Sequence, residues 1–110
     1  MRQPQAAEIL RIHISEADRY RGKPLYEAIV AKCRELNIAG ATVFLGVEGY
    51  GETAEMHRAR LVRSDRPVVI TVVDTQENIR RLAPVAAEMI ATGVMATSKV
   101  QMIRVERGRP

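Results

Sequence analysis

The chain has 110 residues, enough for one domain with a modest core. Its 46% hydrophobic and 27% charged residues are those of an ordinary folded domain and exclude a disordered one. The formal charge of +4, carried mostly by arginine, suits anionic small molecules or acidic partners. With no Trp, one Phe and three Tyr, the chain lacks the exposed rings of a base-stacking platform, so nucleic acid is not an expected partner.

Residues 1–7 are polar or small and read as a loose N-terminus leading into no apolar signal segment. Leu10, Ile12 and Ile14 alternate with Arg11, His13 and Ser15, the period of two that marks a half-buried strand. Glu16 to Lys23 is polar and reads as a loop, in which Glu16 and Asp18 could form a carboxylate pair but read first as solvated acids. Pro24 suits a helix start, and Leu25, Ile29, Cys33 and Leu36 line one helical face. Cys33, the single cysteine, belongs to that core stripe and excludes an internal disulfide or a multi-cysteine metal site. Asn37 and Gly40 stop the helix.

The second strand, Ala41 to Val47, runs into Gly46-Val47-Glu48-Gly49-Tyr50-Gly51-Glu52, with three of the seven glycines of the chain. Glycine at this density permits positive φ and close approach to backbone N–H groups. The spacing fits either a bulged strand end or an anion-accepting loop; no helix follows, which speaks against a dinucleotide fingerprint. The polar stretch Thr53 to Arg60 separates it from a third strand read over Leu61 to Val73, broken near Pro67. Arg58, Arg60, Arg63 and Arg66 make that region basic, as a charged strand edge or as a landing surface for an anion. Asp74 or Thr75 caps a second helix whose stripe is Ile79, Leu82, Ala83, Ala86, Met89 and Ile90, crossing Pro84 and ending at Gly93. A fourth strand is read at Val100 to Val105, and residues 107–110 form a basic tail.

Two strand–helix–strand halves, 9–47 and 61–105, predict an α+β, ferredoxin-like βαββαβ sandwich: a four-stranded antiparallel sheet with two helices on one face. Residues 8–106 make the single domain. The uncovered sheet face would carry Val, Ile and Met, which points to self-association. No apolar run reaches the roughly 20 residues of a membrane span, so neither membrane insertion nor a location outside the cytoplasm is expected. His13 falls on the polar side of the first strand. His57 lies in the loop without second ligands at metal spacing, and no metal site or catalytic motif is read.

The run Ile14-Ser15-Glu16-Ala17-Asp18-Arg19-Tyr20-Arg21-Gly22-Lys23-Pro24-Leu25-Tyr26-Glu27-Ala28-Ile29 resembles the opening signature of a small bacterial and archaeal family of uncharacterised proteins. That family is related in fold to the PII nitrogen-regulatory signal proteins. The resemblance continues through Ala39 to Val43, Gly46 to Gly51, His57, Pro67 to Val69 and Asp74. It implies a trimer with its sheets facing a three-fold axis. It also implies a long loop after strand two that contacts a partner protein, a transporter or an enzyme. A nucleotide, an adenine nucleotide or similar anionic effector, would sit in the inter-subunit cleft at the base of that loop.

Carried over by position, the effector residues would be Gly49, Gly51, Glu52 and Thr53 at the loop base, Gly93 and Lys99 in the segment closing the cleft, and Arg104 on strand four. The 48–60 loop would present Tyr50, Met56, His57 and Arg58 to the partner. The closing segment Gly93-Val94-Met95-Ala96-Thr97-Ser98-Lys99 keeps only the outer Gly and Lys of the PII pattern, so magnesium–ATP held as in PII does not carry over. Two other readings stand beside this regulatory one. The first is an adaptor trimer that binds its partner without a small effector, and the second is an enzyme of the cleft with His57 as acid or base.

Overall fold

The computed structural model describes residues 3–50 and 65–106. Strand β1 spans Gln5–Ser15 and begins inside the stretch read as loose. Two short strands, β2 (Arg19–Tyr20) and β3 (Lys23–Pro24), form a small hairpin before helix α1 (Leu25–Glu35). Strands β4 (Thr42–Leu45) and β5 (Pro67–Asp74) follow, then helix α2 (Gln76–Met89) and strand β6 (Val94–Met102). The main sheet has the order β4-β5-β1-β6, antiparallel throughout, which is the predicted ferredoxin-like topology.

The hairpin corrects the expectation of a plain loop at 16–23. Arg21 (φ 51°) and Gly22 (φ 82°) both adopt the left-handed region, as a two-residue hairpin turn with compatible twist requires. Tyr20 packs against the core, and the Arg21 guanidinium lies 5.1 Å from its ring centre.

Both helices follow their apolar stripes. Pro24 sits just before α1, which buries Leu25, Ile29 and Cys33; Asn37 (φ 60°) ends it in the left-handed conformation glycine or asparagine tolerates. Thr75 caps α2 by accepting the Asn78 N–H through Oγ1 (3.2 Å), and the helix continues through Pro84. Its buried residues are Ile79, Leu82, Ala86 and Met89. The helices cover the sheet face formed by Leu10, Ile12, Ile14, Val68, Ile70 and Val72, and Cys33 is part of that core. Burial raises the Cys33 thiol pKa, as expected of an inert packed cysteine.

Strand four needs the larger correction. It spans Val94–Met102 rather than 100–105, so most of the expected closing segment is strand and Arg104 lies beyond its end. As an edge strand exposed along most of its length, β6 carries Ala96-Thr97-Ser98-Lys99 where a half-buried strand would alternate. The period of two that locates strands in a sequence is therefore absent there.

Candidate functional site

The strand register sorts the candidate residues onto two ends of the sheet. At one end β1 finishes at Ser15, opposite Pro67 at the start of β5, while β6 begins at Val94 opposite His13. The segment 46–50 that follows β4 belongs to this end. The Gly46 N–H donates to the Pro67 carbonyl (2.6 Å), and a Cβ on Gly46 or Gly49 would stand 2.6 or 2.9 Å from Pro67 Cγ. Two glycines are needed because the backbone closes down on a proline ring, a contact no other residue admits without displacement. Gly93 is similar: a Cβ there would meet the His13 carbonyl at 2.8 Å.

A polar cluster fastens this end. Ser15 is its centre: its N–H donates to Asp18 Oδ2 (2.9 Å) and its hydroxyl to Asp65 Oδ1 (2.6 Å), while Ser15 Oγ accepts the Ala17 N–H (3.1 Å). Asp65 is buried, and its Oδ2 has no hydrogen-bond partner among the described residues. Arg66 makes a two-pronged pair with Glu16, both contacts at 3.0 Å, and accepts the Glu16 N–H at its carbonyl (2.8 Å). Bidentate pairing of this kind fixes orientation as well as charge.

Glu16 and Asp18 are thus not the solvated loop acids the sequence suggested. Glu16, with Ser15, ties the β1–β2 connection to the residues that lead into β5, while Asp18 folds back onto the Ser15 N–H. The spacing alone could not show this, because the partners Asp65 and Arg66 lie about fifty residues away. Arg66, likewise, is engaged by Glu16 rather than presented as part of a basic landing surface.

The opposite end holds Lys99, opposite Glu8, which in turn faces Asp74. Five strand positions separate Lys99 from Val94, about 16 Å at ~3.3 Å per residue. Asp74 is buried and accepts hydrogen bonds from the Ala39 N–H (2.8 Å), the Thr75 N–H (2.6 Å) and Asn78 Nδ2 (3.1 Å). Burial by itself would raise its pKa. The donors, with the field of Arg104, outweigh burial and hold the carboxyl below its ordinary value. Asp74 therefore joins the α1–β4 connection to the start of α2, a structural role that the sequence reading limited to capping.

Within one chain, then, Gly49 and Gly93 share one end of the sheet, while Lys99 and Arg104 lie toward the other. Tyr50 is 75% exposed at the loop base, as its position in the sequence suggested. Gly51, Glu52, Thr53, Met56, His57 and Arg58 lie outside the described residues. Among the described residues no group of three His, Cys, Asp or Glu side chains could hold a metal ion. Among them, too, no helix is long and apolar enough to cross a membrane.

With this geometry in view, the likenesses to known proteins can be placed. Residues 7–102 match the DUF190 family model, described as Uncharacterized ACR, COG1993, and the chain belongs to that family. A UPF0166 protein of Aquifex aeolicus is 40% identical over 76 residues, covering 67% of this chain and 72% of the relative. Among solved structures, the apo form of CPII from Thiomonas intermedia, a nitrogen regulatory PII-like protein, superposes with a TM-score of 0.68 at 15% identity. That match covers 94% of this chain and 98% of CPII. The structure of CPII bound to ADP, AMP and bicarbonate gives 0.64 at 16% identity, covering 93% and 92%. The fold is that of the PII-like proteins, as the resemblance in the opening signature implied.

Proposed function

We propose that this protein is a PII-like regulatory module. It assembles as a trimer, binds an adenine nucleotide or similar anionic effector between subunits, and signals to a partner protein, a transporter or an enzyme, through the 48–60 loop. The observation that carries this reading is the fastened base of that loop. Gly46 and Gly49 close on Pro67, and Glu16 grips Arg66, so the two points where the loop leaves the sheet are fixed relative to each other. An effector bound at that base that favours one arrangement of the loop over another would shift the population toward it.

The PII-like fold, with a structural neighbour bound to ADP and AMP, supports the choice of effector class. The distribution of candidates over both ends of the sheet supports a shared site. Gly49 and Gly93 of one chain would meet Lys99 and Arg104 of the next only in an assembly. The open sheet face offers the apolar surface for it: Ile9, Val69, Val73, Val100 and Met102 are half-buried, and Phe44 (54%) and Val94 (44%) are exposed.

Titration calorimetry with ADP and AMP on the wild type and on Gly51→Val tests the reading. The expected result is saturable binding in the wild type and its loss in Gly51→Val, with the assembly mass unchanged. Undiminished affinity in the variant would remove the loop base from the site. No binding in either protein would favour the adaptor reading, in which the loop engages its partner without an effector.

A further inference from the structure

The open face of the sheet has a second property beyond its apolar character. By register it comprises Thr42 and Phe44 of β4, Pro67, Val69, Thr71 and Val73 of β5, Gln5, Ala7, Ile9, Arg11, His13 and Ser15 of β1, and alternate residues of β6 from Val94 to Met102. No Asp or Glu occupies a strand position on it; Glu8 and Asp74 belong to the helix-covered face. Among the described strand positions its only ionisable groups are Arg11 and His13, neighbours on one strand with no residue between them on that face, and the Asp65 carboxylate at the Ser15 end is engaged by the Ser15 hydroxyl. Arg11 faces Thr71 on one side and Ala96 on the other, and His13 faces Val69 and Val94, so neither has an acidic cross-strand neighbour. The side chains of both residues are exposed and make no hydrogen bond or ion pair with the described residues.

A cation in the middle of an apolar sheet face is tolerable while water reaches it. Once that face is covered, an unpaired guanidinium carries a large desolvation penalty. Covering it with further copies of the same chain worsens matters, because the copies bring the same cations and no strand carboxylates to offset them. A small oxyanion resolves the conflict, since Arg offers a planar fork of donors to two of its oxygens and an imidazole N–H adds a third contact. We propose that Arg11 and His13 form a site for an oxyanion of the phosphate or sulfate type, completed by the same residues of the other copies. This inference rests on the assembly reading above and adds a structural anion to it, separate from the effector at the loop base.

The test compares wild type with Arg11→Met, reading native mass and unfolding midpoint in chloride buffer with and without millimolar sulfate at equal ionic strength. The wild type is expected to remain assembled and to rise by about 5 °C with sulfate. Arg11→Met is expected to assemble at least as well as the wild type in chloride alone and to show no such rise, because the unpaired charge is gone. Calorimetric titration of the wild type with sulfate should give fewer than one anion per chain, as a shared site requires. Equal responses of the two proteins would overturn the proposal, as would an Arg11→Met assembly weaker than the wild type in chloride, which would mean that a partner's carboxylate already serves Arg11. A monomeric wild type in every buffer would defeat the assembly reading itself, and the site with it; the mass measurement separates that failure from the others.

Discussion

The two faces of the one sheet are built from alternate residues of the same strands, yet among the described residues only one is covered by the chain itself. On the helix-covered face Leu10, Ile12, Val68, Ile70 and Val72 are fully buried. On the other, Ile9, Val69 and Val73 from the same two strands are only half-buried, and Arg11 and His13 interrupt the apolar surface. A two-layer domain has no third layer to offer, so the open face is the surface on which the proposed assembly would form. The difference separates a face packed by the chain's own helices from one whose partner the proposed assembly would supply.

The largest effect should come from the helix-covered face. Ile70→Ala is expected to cost about 2–5 kcal/mol in urea unfolding at any protein concentration, through lost burial and the cavity left behind. Val73→Ala, on the open face, should cost clearly less in dilute solution, with a loss that grows as protein concentration rises and the face becomes covered. Equal, concentration-independent losses would erase the distinction between the faces.

Asp74 comes next, because it anchors the helix-covered side. Asp74→Ala leaves three donors without their acceptor and should destabilise by about 1–3 kcal/mol. The folded pKa of Asp74 lies below the unfolded value of ~3.9, so its contribution is complete above that value and is lost as pH falls through the folded pKa. Urea unfolding of wild type against Asp74→Asn should therefore show a gap near neutral pH that narrows below about pH 4. A gap that widened on acidification would contradict the assigned direction.

The loop base gives effects of similar or smaller size. Gly46→Ala forces a methyl group against Pro67 and should cost about 1–3 kcal/mol, read as a lowered unfolding midpoint. Glu16→Gln breaks a partly exposed pair with Arg66 and should cost only about 0–1 kcal/mol. Its informative readout is faster proteolysis within the 48–60 segment at nearly unchanged global stability.

Much of the fold was legible in the sequence because it is written in periodicity. The alternation in Leu10–Ile14, the stripe from Leu25 to Leu36 and the β-branched run from Val68 to Val73 each report a buried face. Strand β6 was misplaced because an edge strand exposed along Thr97-Ser98-Lys99 has no face to report. The hairpin at Arg19–Pro24 was missed although Arg21-Gly22 offers a left-handed turn, since strands of two residues leave no pattern. The site was less legible than the fold for a different reason. Glycine density pointed to the end of β4, but the grip of Glu16 on Arg66 and of Ser15 on Asp65 depends on pairings between residues about fifty positions apart, which no local window contains. The resemblance to the PII-related family placed Gly49 and Gly93 with Lys99 and Arg104 in one cleft, whereas a single chain holds them at opposite ends of its sheet.

The most direct test of the effector-binding account is thermal unfolding of the purified protein against adenine and guanine nucleotides, cyclic forms included, with and without magnesium. A ligand at about 100 times its dissociation constant stabilises by roughly 2.7 kcal/mol, well within detection. A raised midpoint with adenine nucleotides and none with guanine nucleotides is the expected result. A flat response across the whole panel would contradict it.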